Sequence, residues 1–284
     1  IKGGGNSYDV IIPSDYMVAR MGEEGLLMEL DYSKIPNAEN IDERYLHPAY
    51  DTEQKYSLPY MWGTTGIIYN TTMVDKAPTS WMDLFTTDLK GQVLIFDNPR
   101  DCIGLALKAL GYSFNTTNKD EIAEATDLLI KQKEDGIVQA YVMDQIFDKM
   151  INNEAAMGTY YAGDYLTMVE ENPDLAFVQP EEGSNLFVDA MCIPTCSKNY
   201  EDALAFINFM CRDDIVLRNC EETGYSCPSA TALEEMDEEM AADPVAYPGA
   251  DILDKAETFG GLPEETLTFY DHEWIRICLA KVKY

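Results

Sequence analysis

The residues that best combine reactive chemistry with regular spacing lie in one stretch, 183–194, which reads Gly-Ser-Asn-Leu-Phe-Val-Asp-Ala-Met-Cys-Ile-Pro. A β-strand here places Phe187 and Asp189 on one face, because side chains two apart in a strand point the same way. An aromatic ring beside a carboxylate suits an ammonium group, since the ring offers a cation–π contact and the acid a charged hydrogen bond. On these residues alone, a core strand with one acid at its rim is the simpler interpretation. The binding interpretation gains weight because acids, some with tyrosines, recur at the ends of other apolar runs.

Acid–base catalysis has one candidate pair of carboxylates, Asp97 and Asp101. Position 101 also begins a predicted helix, where the helix dipole favours an acid. The two histidines, His47 and His272, stand in no context typical of a Ser/His or Cys/His nucleophile. The sequence has no GxGxxG or GxxxxGK[ST] motif, so it predicts neither an enzyme nor a bound cofactor.

The seven cysteines include no CxxC motif and no cluster with histidine, so the sequence predicts no metal site. Cys102 and Cys211 lie within apolar helical patterns and are expected to be small buried hydrophobic residues. The pairing of the cysteines stays open.

The net charge of −31 arises from 51 acidic against 20 basic residues. Such a charge repels nucleic acid and anionic membrane surfaces, and it attracts cations. Acidic surfaces also keep proteins soluble, so a cationic partner is permitted rather than required.

A chain of 284 residues is long for one hydrophobic core and suits two compact lobes. No run of about 18 uncharged apolar residues is present, so no membrane span is predicted. Residues 1–5, Ile-Lys-Gly-Gly-Gly, resemble the end of a helix with its glycine stop. We therefore expect a further N-terminal stretch before residue 1.

Apolar runs and helical spacing alternate along the chain. The expected strands are 8–12, 59–70, 92–96, 137–141, 155–160, 175–178 and 186–193. The expected helices are 16–23 with Asp15 as its cap, 101–110, 119–135, 143–151, a helix from the turn at 161–164 to residue 171, 200–211 and 215–223. This alternation predicts parallel α/β layers. Ligands bind such sheets beyond the carboxyl ends of the strands, which points to 13–16, 97–101, 161–164 and the surroundings of Asp189.

Several short segments follow one another in order along the chain. They are YDVIIPSDYM at 8–17, GIIYN at 66–70, PTSW at 78–81, DNPRD at 97–101, YYAGD at 160–164 and FVDAMCIP at 187–194. Together they resemble the spermidine/putrescine substrate-binding proteins of bacterial ABC importers. Each segment is weakly diagnostic alone, but the ordered set is specific and spans nearly the whole chain.

The resemblance implies an α/β, two-lobed periplasmic-binding-protein fold of the class II type that closes around its ligand by a hinge. The implied lobes are 1–67 with 189–232, and 68–188 with 233–284. Family members carry a strand, a helix and another strand before this point, so the first lobe is expected to be incomplete at its N-terminus.

The resemblance also implies a set of ligand-binding residues by position. These are Ser14, Asp15, Tyr16, Asn98, Asp101, Tyr161, Asp164, Phe187, Asp189 and Tyr225. In this reading Asp101 holds a terminal ammonium, Phe187 and Asp189 form the central aromatic-plus-acid pair, and Tyr225 closes the rim. Tyr161 stands where tryptophan is frequent in the family, which weakens the cation–π contact.

The function implied is an extracytoplasmic receptor, lipid-anchored, that captures a polyamine between acidic and aromatic residues and delivers it to an ABC permease. No nucleic-acid partner is expected, and a monomer is expected unless the absent N-terminal segment allows a dimer or swapped contacts. Two alternatives stay open. One is a receptor for another small solute, such as an amino-acid derivative. The less favoured alternative is a hydrolase that uses Asp97 and Asp101.

Overall fold

The computed structural model describes residues 8–282, which form two compact units. The first unit contains residues up to 63, 186–248 and 258–261, and the second contains 64–185, 249–257 and the chain from 262 onward. The helix end expected at residues 1–5 lies outside the described residues.

Helices and short strands alternate through the chain. The helices are α1 (Asp15–Glu23), α2 (Asp83–Thr86), α3 (Pro99–Ala109), α4 (Lys119–Glu134), α5 (Gln145–Ile151), α6 (Ala162–Glu171), α7 (Tyr200–Met210), α8 (Asp213–Thr223), α9 (Ala230–Glu235), α10 (Glu238–Ala241), α11 (Ala250–Leu253) and α12 (Glu264–Leu279). The strands are β1 (Ser57–Asn70), β2 (Val93–Phe96), β3 (Val138–Val142), β4 (Met157–Tyr161), β5 (Leu175–Val178) and β6 (Leu186–Cys192). Between α1 and β1 the chain contains short 3-10 turns at Tyr32–Lys34, Pro36–Asn40 and Glu43–Tyr45.

The second unit is built on a sheet with strand order β3-β2-β4-β1-β5. Strand β2 runs parallel to β3 and β4, whereas β1 runs antiparallel to β4 and β5. The sheet is therefore mixed: β2 pairs in parallel, as the predicted α/β layers imply, whereas β1 does not. The pairing of β1 explains the difference, because its long run from 57 to 70 enters the sheet against β4 rather than following a crossover helix.

Helices α3, α4 and α12 pack against one another beside this sheet. The helix expected at 119–135 is confirmed as α4, and its residues Ile122, Ala125 and Leu129 are fully buried. Apolar residues of β2 are also fully buried, as expected for a strand covered on both faces. This core fixes the end of β2 and the start of α3, where Asp97–Asp101 lie.

In the first unit, strand β6 pairs with β1. The segment before α1 also contacts β6, through isolated bridges. Isolated bridges join Ile11 to Cys192 and Ser14 to Asp189. The expected strand at 8–12 is thus reduced to isolated bridges. Helix α1 begins at Asp15 rather than after it, and Ser14 occupies the N-cap position.

Residues 233–248 fold with the first unit, whereas the expected lobes grouped them with the second. Their contacts explain this placement. The ring of Tyr247 meets Trp62 edge-on at 6.0 Å, and the Ser226 hydroxyl donates to the carbonyl oxygen of Ala246 at 2.5 Å. Met236 and Met240 pack in a small apolar cluster with residues of α8.

All seven cysteines are free thiols. Cys102 and Cys211 are buried, which confirms the expectation that they serve as small hydrophobic residues. No helix within 8–282 is both long enough and apolar enough to cross a membrane.

Candidate functional site

The first unit brings Phe187, Asp189 and Tyr225 into one neighbourhood. Phe187 and Asp189 lie two apart on β6 and therefore share a face. The Phe187 ring is buried and meets the Tyr225 ring edge-on, with centroids 5.7 Å apart and an interplanar angle of 89°. Gly63 lies against both rings, since a Cβ atom there would stand 2.7 Å from Cζ of Phe187 and 3.5 Å from Cδ1 of Tyr225. A bare backbone at Gly63 is what allows this aromatic pair to form.

Ser14 reaches the same place from the segment before α1. Its backbone forms an antiparallel bridge with Asp189, and its side chain is hydrogen-bonded to the Asp189 carboxylate. Burial raises the pKa of Asp189 above its ordinary value, and the hydrogen bond from Ser14 offsets part of that rise. The carboxylate is half-buried, so it keeps a surface on which to receive a partner.

Asp15 and Tyr16 open helix α1 beside Ser14 but have different environments. The Asp15 side chain is completely buried, and its Oδ1 accepts from the backbone N–H of Tyr16 at 2.6 Å. Tyr16 is half-buried, and its ring meets Phe259 edge-on at 6.1 Å. Tyr16 thus presents a surface, whereas the Asp15 side chain is enclosed within the unit.

The second unit brings Asn98, Asp101 and Tyr161 together where β2 ends and α3 begins. Asn98 is the N-cap residue, and its side chain accepts from the N–H of Arg100 at 2.9 Å. Asp101 lies in the first turn of α3, is 6% exposed, and is hydrogen-bonded to the side chain of Tyr161. Tyr161 ends β4, and its ring lies 5.3 Å from that of Phe96.

Burial dominates the charge state of Asp101. It raises the pKa of that carboxyl to about 7, while the Arg100 charge and the Tyr161 hydrogen bond pull it back down. The Arg100 guanidinium stands 5.5 Å from the centre of the Tyr270 ring and donates to Asn115 Oδ1 at 3.2 Å. A carboxylate held out of water in this way is favourable for a cationic partner, which would stabilise its ionised form.

Asp164 lies in the first turn of α6 and is half-buried. Its charge contributes to raising the pKa of Tyr160, after the larger effect of burial. The Tyr160 hydroxyl donates to Asp144 Oδ1 at 3.0 Å, so the second unit places further acids around its tyrosines.

Asp97 differs from Asp101 in environment, because its side chain is exposed whereas that of Asp101 is buried. Within residues 8–282, no group of three or more histidine, cysteine, aspartate or glutamate side chains is placed to hold a metal ion.

A family model described as bacterial extracellular solute-binding protein matches residues 2–248. The chain belongs to this family. Among named relatives of this solute-binding protein is the spermidine/putrescine-binding periplasmic protein of Escherichia coli K12, 35% identical over 252 residues, which are 88% of this chain and 72% of that protein. The spermidine/putrescine-binding periplasmic protein 1 of Haemophilus influenzae is 32% identical over 281 residues, which are 99% of this chain and 77% of that protein.

Solved structures confirm the expected fold class of this solute-binding protein. The spermidine/putrescine ABC transporter substrate-binding protein PotD of Streptococcus pneumoniae matches with a TM-score of 0.87 and 39% identity, covering 98% of this chain and 86% of that one. A putative spermidine/putrescine ABC transporter protein from Listeria monocytogenes matches with a TM-score of 0.92 at the same identity and coverage. The resemblance drawn from the ordered segments is confirmed as well.

Two residues of this solute-binding protein escaped the sequence-based prediction. Tyr60 of β1 is half-buried, and the Asp189 charge contributes to raising its pKa, after burial and the neighbouring Cys220. Tyr160 lies between Asp144 and Asp164. Alternation along the strands could have drawn attention to either tyrosine, but the sequence contains 18 tyrosines and offers no means to choose among them.

Proposed function

We propose that this protein is an extracytoplasmic receptor that binds a polyamine, spermidine or putrescine or both, and delivers it to the permease of an ABC importer. The observation that carries the proposal is the recurrence of one arrangement in both units, a desolvated carboxylate beside an aromatic ring. Asp189 stands with Phe187 in the first unit, and Asp101 with Tyr161 in the second. The names of the relatives in Escherichia coli and Haemophilus influenzae support the same ligand class.

The chemistry of polyamines matches these side chains. Their nitrogens, like that of lysine with a pKa of about 10.4, are protonated at neutral pH. Desolvating several positive charges is costly unless each meets an acid or a polar oxygen. The methylene spacers gain about 0.8 kcal/mol per buried CH2 when they lie against aromatic rings. Ser14, Tyr16, Asn98, Asp164 and Tyr225 are proposed as additional contacts, and the buried charge of Asp15 as electrostatic support.

A receptor returns its ligand unchanged, which separates this proposal from an aspartate-based hydrolase. The protein is incubated with putrescine, spermidine, uncharged 1,4-butanediol or an amino-acid derivative, and its thermal unfolding midpoint is recorded. We expect the two polyamines to raise the midpoint and the diol to leave it unchanged. Mass spectrometry of the recovered polyamine should show no product. Stabilisation by the amino-acid derivative alone would identify a receptor for another solute, and turnover would identify an enzyme.

The cellular setting is a further part of the proposal. The family description, extracellular solute-binding protein, supports a location outside the cytoplasm. We propose a lipid anchor and a monomeric state. Detergent dependence of the native protein tests the anchor, and mass measurement in dilute solution tests the monomer.

A further inference from the structure

Two cysteines of the first unit, Cys220 and Cys227, lie side by side although six residues separate them. Their thiols are hydrogen-bonded to each other. They are 2% and 3% exposed and belong to one apolar cluster with Val216, Ala232 and Met236. Cys211, a buried cysteine between α7 and α8, lies outside this cluster.

The backbone between the two cysteines explains how they meet. Helix α8 carries Cys220 in its last turn and ends at Gly224, whose φ of 72° turns the chain back in the left-handed conformation that glycine tolerates. The N–H of Gly224 donates to the carbonyl oxygen of Cys220 at 2.9 Å, closing the helix end. Ser226 then pairs with Trp62 through two backbone hydrogen bonds, of 3.0 and 3.1 Å, which fixes where Cys227 follows.

Cys227 is held from several sides. Its N–H donates to the Tyr247 hydroxyl at 3.1 Å, and its carbonyl oxygen accepts from Nε1 of Trp62 at 2.9 Å. Its sulfur accepts from the N–H of Ser229 at 3.2 Å. The Cys227 side chain is therefore fixed in place beside the Cys220 thiol, to which it is hydrogen-bonded.

We propose that Cys220 and Cys227 are an oxidisable dithiol that closes an intramolecular disulfide around residues 221–226 by exchange with a small-molecule disulfide such as oxidised glutathione. The Cys227 thiolate attacks one glutathione sulfur and releases the first glutathione thiolate. Cys220 then gives up its proton, attacks the Cys227 sulfur and releases the second. Two protein thiols are oxidised and one glutathione disulfide is reduced to two glutathione molecules, so electrons and protons balance.

The local electrostatics favour Cys227 as the first nucleophile. Hydrogen bonds from Cys220 and from the N–H of Ser229 stabilise its thiolate and hold its pKa below the ordinary value. By contrast, burial alone raises the pKa of Cys211 to about 12. The exchange is therefore expected to be selective among the buried thiols of this unit.

The bond would restrain the segment that carries Tyr225. A disulfide limits the conformations of the unfolded chain across the loop that it closes, and it also holds the folded segment against local opening. Any effect on ligand affinity through Tyr225 rests on the proposed function, whereas the bond itself does not.

The test uses the full chain, reduced with dithiothreitol and desalted, then exposed to oxidised glutathione either folded or while refolding from denaturant. The refolding arm gives the oxidant access even if the folded protein shields both thiols. Remaining thiols are alkylated and the protein is digested with trypsin, which yields a peptide spanning 219–255 with Cys220 and Cys227 as its cysteines. We expect this peptide to lose the mass of two hydrogen atoms and to stay joined after cleavage at Glu221 or Glu222. Recovery of both cysteines alkylated in both arms, or of either joined to another cysteine, would overturn the proposal.

Variants and unfolding give a second, independent readout. Cys220→Ser cannot form the intramolecular disulfide and should carry glutathione on Cys227. Cys211→Ser, a matched buried control, should still form the bond between Cys220 and Cys227. Oxidation should raise the thermal midpoint of the wild type and of Cys211→Ser but not of Cys220→Ser. An equal rise in Cys220→Ser would contradict a restraint from this bond.

Discussion

The phenol of Tyr161, at the end of β4, donates a hydrogen bond to the carboxyl group of Asp101, in the first turn of α3. This contact and the Arg100 charge only partly offset the cost of burial, so the pKa of Asp101 is raised to about 7. Near neutral pH, Asp101 therefore changes its ionisation within the range in which binding is measured.

The affinity for a polyamine is expected to rise with pH. The polyamine stays protonated between pH 6 and 8, while the ionised fraction of Asp101 grows from about one tenth to about nine tenths. Because the ammonium group pairs with the ionised carboxylate, the association constant for putrescine should increase about tenfold over this range. Calorimetry at constant ionic strength measures the change.

A matched pair of variants assigns this effect. Asp101→Asn should bind weakly with little dependence on pH, whereas Asp120→Asn, which removes an exposed acid of α4, should keep the wild-type profile. Repeating the wild-type titration at pH 7 in buffers of different ionisation enthalpy should reveal proton release. Wild-type affinity that is flat between pH 6 and 8 would remove Asp101 from the ligand contacts.

The same burial makes Asp101 costly for stability. Its pKa is higher in the folded protein than the unfolded value near 3.8, so the unfolded chain gives up this proton first and stability falls as pH rises from about 4 through about 7. The loss is on the order of 1 kcal/mol per pH unit within that range. Asp101→Asn keeps an oxygen that accepts from Tyr161 and should unfold at a higher temperature than the wild type at pH 8. Thermal scans at pH 4, where the difference should vanish, provide the control.

Gly63 is expected to control the aromatic pair of the first unit. In Gly63→Ala the new Cβ atom would lie 2.7 Å from Cζ of Phe187 and 3.5 Å from Cδ1 of Tyr225, so the Phe187 ring must shift from its present position. The affinity for putrescine should fall several-fold as the ring surface is displaced. Gly22→Ala is the matched control, because its Cβ atom meets Tyr56 at 3.4 Å and alanine favours helix α1. Equal affinities of the two variants would contradict a role for the Phe187 ring.

Much of the fold could be predicted from the sequence, because its signals are local. The spacing of Ile122, Ala125, Leu128 and Leu129 predicts α4, and the apolar run at 175–178 matches β5. The direction in which β1 pairs and the reduction of residues 8–12 to bridges depend on distant partners. No local pattern specifies them.

The candidate residues show the same division. The shared face of Phe187 and Asp189 follows directly from the period of a strand. The hydrogen bond from Ser14 to Asp189 joins residues far apart in sequence, and the complete burial of Asp15 is set by the packing around α1. The contact between Cys220 and Cys227 depends on the turn at Gly224, which spacing alone does not reveal.

The central claim is that the carboxylates of Asp189 and Asp101 bind a polyamine. Titration calorimetry with putrescine and then spermidine tests this claim most directly. The wild type should bind at least one of them with a dissociation constant in the micromolar range or tighter. Asp189→Asn should bind at least about tenfold more weakly, since a buried ammonium loses its charged partner. Asp202→Asn, which removes an exposed acid of α7, should bind like the wild type. Absence of binding to both polyamines, or an unchanged affinity in Asp189→Asn, would contradict the account.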